Sequence, residues 1–343
     1  ETGETYIFQI ESSGQWLAEY GSAQGGNLYL ALSGATEQEH GWYKNLKPGE
    51  CFTTVPAGAA VVKGGLNPAV AALTRYRRKV RRANPDDEKL NVVFNDYMNC
   101  LFGDPTEEKE KQIIDLAASL GCEYYCLDCG WYDAGPWWNR VGEWKESPER
   151  FPNGLKTVFD YCRSKGMRMG MWLEIEVMGT ACELTNRLPD SWFVCNHGKR
   201  RIENSRYLLD FRNLEVRKYC SDVVDRLVED YGCEYFKIDY NVVTGVGSDV
   251  NCDSRGDAML EHYRGVYEWI REVYAKHPNL VIENCGSGAQ RMTTGCWRCI
   301  PCNPPATRPT MCPTRISPRT WPRPSRRSRA ACGSIPMRTS GSM

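Results

Sequence analysis

The sequence predicts an α/β protein built on a (β/α)8 barrel of the TIM type, incomplete at its C-terminal side and preceded by part of a β-sandwich domain. Strand-like and helix-like segments alternate from residue 90 to residue 284, which is typical of parallel strands joined by crossover helices. The first 85 residues instead hold short apolar runs separated by Gly, Ser and Pro-Gly turns. Polar or aromatic side chains also recur at the ends of the predicted barrel strands, where barrel active sites lie.

These patterns divide the 343 residues into three regions. Residues 1–85 are predicted to be the end of an N-terminal β-sandwich domain and a linker, and residues 86–292 a partial barrel. The N-terminal strands are predicted at residues 5–10, 27–32 and 51–62. The basic cluster at residues 75–82 is read as a helix end with a solvated face.

The barrel elements follow one another in a regular order. The predicted strands cover residues 91–96, 124–130, 167–176, 206–211, 235–241 and 279–284. The predicted helices cover residues 104–121, 154–166, 216–231 and 259–276. The first of these helices opens on Asp-Pro-Thr-Glu, a helix-capping pattern.

The strand at residues 235–241 places charged groups inside the predicted barrel. Lys237, Asp239 and Asn241 alternate with apolar residues, so they share one face of the strand. A buried lysine and aspartate form either a structural ion pair or a nucleophilic carboxylate kept ionised by the ammonium group. The strand alone leaves both interpretations open.

Other strand ends carry groups that suit a sugar. Those groups are Asn95 and Asp96, Asp128 with Trp131, Trp172 with Glu174 and Glu176, Asp239, and Cys285 with Ser287. We find no His pair for a metal and no Gly-rich phosphate loop at the known spacings. Carboxylates beside tryptophans bind hydroxyl groups and cover C–H faces, and Trp137 and Trp138 are further candidates in a Gly-Pro loop.

Composition narrows the class of protein. Nine arginines and no acidic residue follow Met292, so the first 292 residues hold 34 basic against 43 acidic side chains and do not resemble a nucleic-acid binder. No apolar run reaches membrane-spanning length, and no export pattern opens the chain, so we expect a cytoplasmic protein. Of the 17 cysteines, those before Met292 are then expected to be reduced thiols.

Five ordered motifs resemble the barrel of the glycoside hydrolase family 36 α-galactosidases, and the resemblance runs from about residue 4 to residue 291. The motifs lie at residues 127–131, 170–176, 206–210, 235–241 and 283–288. The resemblance implies an N-terminal β-sandwich, a catalytic barrel, a C-terminal β-domain, no cofactor and hydrolysis with retention of configuration. It also implies an oligosaccharide substrate and leaves a homo-oligomer possible for the intact family member.

Roles carry over from the resemblance by position. Asp239 matches the nucleophile, Lys237 a hydroxyl-binding partner, and Asp128 the acid that holds hydroxyl groups far from the anomeric carbon. The other substrate-binding residues it implies are Trp131, Trp172, Arg206, Asn241, Cys285, Gly286 and Ser287. A retaining glycosidase forms a glycosyl-aspartate intermediate and needs a second carboxyl group at roughly 5 Å to protonate the leaving oxygen.

The chain also departs from the family pattern. Cys129 stands where a second aspartate is usual, Ile175 where proline is common, and Tyr97 where tryptophan is common. The loss of one hydroxyl-binding acid leaves galactose and N-acetylgalactosamine open as the sugar. A carbohydrate-binding protein without activity is a further alternative.

Residues 293–343 have a different composition, with nine Pro and nine Arg and no acidic residue. They contain a Cys-x-x-Cys-x-x-Cys run and, taken literally, predict a disordered arm that could bind RNA. One G inserted after the Met292 codon lets the degenerate codons be reread with a Ser-Asp-Gln run, which matches the family's acid/base motif. We therefore predict a frameshift at Met292, the loss of the acid/base aspartate, and a poorly folded chain without turnover.

Overall fold

The computed structural model describes residues 3–84, 86–89, 91–243 and 245–287, together with Arg291 and Thr293. The predicted tail at residues 293–343 therefore lies outside the described residues except for Thr293. The Thr293 hydroxyl forms a hydrogen bond of 2.6 Å with the hydroxyl of Ser13.

The N-terminal part contains two small antiparallel sheets. The sheets are built from four strands: β1 (Glu4–Ile10), β2 (Leu17–Ser22), β3 (Leu28–Ser33) and β4 (Ala57–Lys63). A short helix, α1 (Glu37–His40), lies between β3 and β4 in the chain. β1 pairs with β4 and β2 with β3, in separate two-stranded sheets. A two-stranded sheet is not a sandwich, so the predicted β-sandwich domain stays a prediction.

A helix follows these sheets where the sequence analysis expected only a helix end. α2 (Leu66–Val80) buries Ala69 and carries basic residues in its last turn. Arg77 donates from Nε to Gln9 Oε1 of β1 at 2.8 Å, which ties the helix to the β1–β4 sheet. The basic cluster thus has both a structural and a solvated side.

The remaining elements alternate between strand and helix as predicted, except between residues 177 and 208, where five short strands occur with no α-helix between them. In chain order they are α3 (Asp86–Lys89), β5 (Val93–Asn95), α4 (Glu107–Ser119), β6 (Tyr124–Leu127), α5 (Leu155–Ser164), β7 (Arg168–Leu173), β8 (Val177–Gly179), β9 (Cys195–Asn196), β10 (Lys199–Arg200), β11 (Ile202–Glu203), β12 (Arg206–Leu208), α6 (Leu214–Glu229), β13 (Tyr235–Ile238), α7 (Arg255–Lys276) and β14 (Val281–Asn284). Thr106, Asn213 and Ser254 cap the N-termini of α4, α6 and α7 with side-chain oxygens.

Five of these strands form one parallel sheet in the order β14-β13-β7-β6-β5. Each strand pairs with the next strand of the series along the chain, which is how a (β/α)8 barrel adds strands around its axis. The curled sheet confirms a partial TIM barrel. β6 is fully buried, as expected for a parallel strand covered on both faces.

The prediction of a barrel strand at residues 206–211 is wrong. Arg206–Leu208 forms β12, which pairs antiparallel with β8 and with β11 in a separate three-stranded sheet. The segment between β7 and β12 contains short strands and two short 3-10 helices, whereas the crossover between parallel strands is usually an α-helix. The run therefore belongs to an excursion, residues 177–208, that leaves the barrel after β7.

The core lies against both faces of the parallel sheet. Its largest fully buried side chains include Trp131, Trp144, Trp172, Tyr124 and Tyr235. The cysteines in the described part are free thiols, and most are buried. Among the described helices, none combines the length and apolar character required to cross a membrane.

Candidate active site

A cavity of about 790 Å³ opens where the parallel strands end. The carboxyl ends of parallel strands meet at one edge of a barrel, so residues distant in sequence converge there. Eight of the predicted site residues line it: Asp128, Trp172, Arg206, Lys237, Asp239, Asn241, Cys285 and Ser287. Its size is within the usual range of small-molecule sites.

Asp239 follows β13 directly, and only 8% of its surface is exposed. Its Oδ2 accepts hydrogen bonds from Trp172 Nε1 at 3.1 Å and Asn241 Nδ2 at 2.9 Å. Its Oδ1 accepts from the backbone N–H groups of Tyr240 at 2.8 Å and Ser287 at 3.1 Å. A carboxylate has about four lone-pair positions, and here each oxygen serves two donors.

These donors determine the charge of Asp239. Burial by itself raises the pKa of this carboxyl group, but the Lys237 ammonium group and hydrogen bonds from Cys285 and Asn241 outweigh it, so the pKa is lowered. Asp239 is therefore ionised at neutral pH. An ionised carboxylate facing a cavity is the form in which an aspartate acts as a nucleophile.

Lys237 forms its ion pair with Asp128 of the β6 end. The distance from Lys237 Nζ to Asp128 Oδ2 is 2.7 Å, and Asn95 Nδ2 donates to the same oxygen at 2.7 Å. Burial lowers the pKa of Lys237, but Asp128 and neighbouring groups raise it by more, so the ammonium stays charged. Lys237 therefore forms its ion pair with Asp128, and its charge also lowers the pKa of Asp239. The role of Asp239 as a nucleophile stays a prediction.

A second buried ion pair connects the sheet to the excursion. Arg206 Nε donates to Glu174 Oε2 at 2.7 Å, and both side chains are at most 3% exposed. The other oxygen, Oε1, accepts the backbone N–H of Asn241 at 2.8 Å. Burial raises the pKa of Glu174 to about 7, because Arg206 offsets only part of the burial effect and Asp239 adds to it.

Three of the four predicted sugar-contacting tryptophans line the cavity: Trp137, Trp138 and Trp172. The rings of Trp137 and Trp172 meet edge to face, with centroids 5.7 Å apart and an interplanar angle of 82°. Trp131 lies behind this wall, fully buried, and donates from Nε1 to the carbonyl oxygen of Trp172 at 3.1 Å. It supports Trp172 and does not face the cavity.

The loop after β14 closes one side of the site. The backbone N–H of Cys285 donates to the Ile238 carbonyl at 2.8 Å, and Ser287 Oγ donates to Asn241 Oδ1 at 2.5 Å. Gly286 does not line the cavity, because it faces Arg291, whose Cγ would lie 3.3 Å from an added Cβ. Ser287 is exposed and adopts a φ of 45°, a conformation that non-glycine residues rarely hold.

The turn between β11 and β12 is a part of the site that no sequence pattern predicted. Asn204 and Ser205 line the cavity, with φ angles of 50° and 59°. Asn204 Nδ2 donates to the Asn241 carbonyl at 3.0 Å, which holds the turn against the sheet. Two positive φ angles in a row are typical of a type I′ hairpin turn. The Asn-Ser pair between two short strands is the sequence feature that could have predicted this turn.

Other lining residues are Val93, Asn95, Tyr97, Met98, Cys129 and Glu283. In the described part of the chain, one group could offer three ligand atoms to a metal: Asp225, Glu229 and His277. The Lys276 ammonium group already contacts Asp225 at 2.8 Å and Glu229 at 2.9 Å. These residues lie at the C-terminal ends of α6 and α7, opposite the cavity.

A family model and the sequences of known proteins indicate the same family for this chain. The model of the family described as Melibiase matches residues 52–304. The chain is 27% identical over 297 residues to α-galactosidase Mel36A of Lactobacillus acidophilus, and 28% identical over 298 residues to α-galactosidase AgaA of Geobacillus stearothermophilus. Each alignment covers 85% of this chain and 40% of the relative, so the chain spans about 40% of the length of these relatives.

The chain also resembles solved structures of α-galactosidases. The crystal structure of AgaA, a glycoside hydrolase family 36 α-galactosidase, superposes with a TM-score of 0.77 at 25% identity, covering 88% of this chain and 42% of AgaA. A variant of AgaA has been crystallised in complex with raffinose, and it superposes with the same TM-score, identity and coverage.

Proposed function

Because the chain belongs to the Melibiase family, we propose that its cavity binds the terminal galactose of an α-galactoside and that Asp239 is the nucleophile of a retaining hydrolysis. The relatives named above are α-galactosidases, and one was crystallised with raffinose. The observation that best supports this proposal is an ionised aspartate, Asp239, at the end of β13, in a cavity that tryptophans line. A cytoplasmic location and a melibiose- or raffinose-type substrate are part of the same proposal.

The proposed roles follow from the contacts. Asp128 and Lys237 present a carboxylate and an ammonium group to sugar hydroxyls, while Trp172 and Trp137 cover apolar faces of the ring. Asp239 attacks the anomeric carbon as the bond to the leaving oxygen breaks, and water later hydrolyses the glycosyl ester. Ser287 is the donor to Asp239 that is easiest to displace, because it is exposed and lies in a loop.

Retention needs a second carboxyl group as acid and base. Of the described cavity-lining residues, Asp128 and Glu283 carry the other carboxyl groups, and Asp128 already binds Lys237 and Asn95. We therefore propose that the acid/base aspartate belongs to the shifted reading frame after Met292. Resequencing the DNA around that codon tests this, and we expect turnover of an aryl α-galactoside only from the restored frame.

The nucleophile is tested separately from the acid. A 2-fluorinated galactosyl donor whose leaving group needs no protonation should label Asp239 of the 343-residue chain, as read by peptide mass mapping. The Asp239→Asn variant should take up no label. Asp160→Asn, which changes an exposed aspartate on α5, should label like the unaltered chain. Label on any other side chain would contradict the proposal.

The sugar itself is decided by titration. We propose galactose as the ligand, with N-acetylgalactosamine as the alternative left open by Cys129, which lines the cavity next to Asp128. Calorimetric titration with both sugars distinguishes them. Tighter binding of the N-acetylated sugar would replace the α-galactosidase proposal with an α-N-acetylgalactosaminidase.

A further inference from the structure

Two buried carboxyl groups lie behind the floor of the cavity. Asp96 follows β5 and is 2% exposed, and Glu110 is a fully buried residue of α4. Asp96 Oδ1 accepts the backbone N–H of Asp128 at 2.8 Å. Glu110 Oε2 accepts the hydroxyl of Tyr125 at 2.6 Å. The pair therefore connects helix α4 to the backbone of a residue that lines the cavity.

One oxygen of this pair needs a donor. Glu110 Oε1 is buried and has no hydrogen-bond partner within the described residues, although the side chains of Asp96 and Glu110 are in contact. Two carboxylates cannot donate to each other, so the contact is favourable only if one of them holds a proton. A shared proton supplies the missing donor.

The surroundings favour that proton. Burial is the main cause that raises the pKa of both groups, to about 7 for Glu110 and well above the usual range for Asp96. The titratable groups facing the pair are Tyr125, Asp128, Lys109 and the thiols of Cys100, Cys126 and Cys129. Lys109 is the cation among them, and its ammonium group is bound at the surface by Asp104.

We propose that Asp96 carries the proton, donates it in a hydrogen bond to Glu110 Oε1, and thereby positions Asp128 at the cavity floor. The proposal rests on the proposed function in so far as Asp128 binds a sugar hydroxyl. Asp96 is a positioning residue, because it does not line the cavity and acts through the Asp128 backbone. Loss of the proton would put two charges in contact and displace Asp128.

The first test counts protons. A pair that keeps a proton in the folded state at a pH where the unfolded chain has released it makes stability fall as pH rises from about 5 to the pH at which the folded pair releases that proton. In Asp96→Asn the amide can still donate to Glu110 and accept from the Asp128 N–H, but it carries no titratable proton. The slope of its unfolding free energy against pH should therefore correspond to about one bound proton less than in the unaltered chain. Glu108→Gln, on the exposed face of α4, should leave the dependence as in the unaltered chain. Denaturant unfolding across this pH range measures it, and equal slopes for the unaltered chain and Asp96→Asn would overturn the shared proton.

The second test measures positioning. Asp96→Asn should bind galactose within about twofold of the unaltered chain, and Asp96→Ala about fivefold more weakly. The Asp128 amide should exchange with solvent faster in Asp96→Ala and at the original rate in Asp96→Asn. Weak binding and fast exchange in both variants would overturn the positioning role. If no form binds galactose, the proposed function fails, while the proton count and amide exchange still decide this inference.

Discussion

The cavity has two walls that are built differently. One wall is the edge of the parallel sheet, where Asp128, Lys237 and Asp239 follow buried strands. The other wall is the hairpin of β11 and β12, which supplies Asn204, Ser205 and Arg206. The sheet wall holds the ion pair of Lys237 and Asp128, and a second buried pair, Arg206 with Glu174, joins the hairpin to the sheet. The pKa of Asp239 is lowered, whereas the pKa of Glu174 is raised to about 7.

The difference shows what sets the charge of a buried carboxyl group. Asp239 receives hydrogen bonds at both of its oxygens in addition to the field of Lys237. Glu174 is more deeply buried, and Arg206 and one backbone N–H do not offset that burial. The sheet wall thus holds a permanent anion, Asp239, and the contact between the two walls holds a carboxyl group, Glu174, that titrates near neutral pH.

Lys237→Met should have the largest effect on stability, because it leaves the Asp128 carboxylate buried without its counterion. We expect a loss of about 3–5 kcal/mol, measured by denaturant unfolding at neutral pH. Lys156→Met removes an exposed pair with Asp160 on α5 and should cost at most about 0.5 kcal/mol. Equal losses in the two variants would mean that the sheet wall does not depend on its ion pair.

Arg206→Met should cost less, and its cost should depend on pH. Since the folded pKa of Glu174 is about 7, above its usual 4.5, the folded chain holds a proton that the unfolded chain releases, and stability falls as pH rises through about 7. Without Arg206 the pKa rises further. The variant should therefore lose about 1 kcal/mol more at about pH 8 than at about pH 6, and a cost independent of pH would contradict the titration.

Asn204→Ala tests the link between the two walls. It removes the hydrogen bond from Asn204 Nδ2 to the Asn241 carbonyl, and we expect galactose to bind about fivefold more weakly. Asn196→Ala removes a hydrogen bond of equal length to the Gly247 carbonyl elsewhere in the excursion, at a residue that does not line the cavity. Calorimetric titration should show unchanged binding in that control.

Ser205→Gly should have the smallest effect. Ser205 has a φ of 59°, where glycine is not strained, but glycine also loses more backbone entropy on folding. We expect a gain of about 0.5 kcal/mol in unfolding free energy, measured by denaturant unfolding. A clear loss of stability would mean that the Ser205 side chain makes a contribution beyond its backbone conformation.

Much of the sheet wall was predictable from local pattern. The strand that carries Lys237 and Asp239 was predicted at residues 235–241 and is found at Tyr235–Ile238, and helix α4 begins within three residues of its capping pattern. Period-2 alternation and helix caps are local properties, and parallel topology brings strand ends together. The predicted roles of the site residues stay predictions.

The hairpin wall could not be predicted from the sequence, because its strand pairing depends on residues that are distant in the chain. Residues 206–211 are as strand-like as a barrel strand, and only the pairing with β8 excludes them from the barrel. Trp131 and Gly286 follow predicted strands, yet one packs behind Trp172 and the other faces Arg291.

Residue order therefore specified the alternating strands, the helices and the face on which Asp239 lies, because these depend on neighbours along the chain. The ion partner of Lys237, the pKa of Glu174 and the contact between Asp96 and Glu110 were decided by the fold. Each of these three properties depends on burial and on charged groups more than ten residues away in the chain. Burial and contacts between such distant charges arise only when the elements pack together.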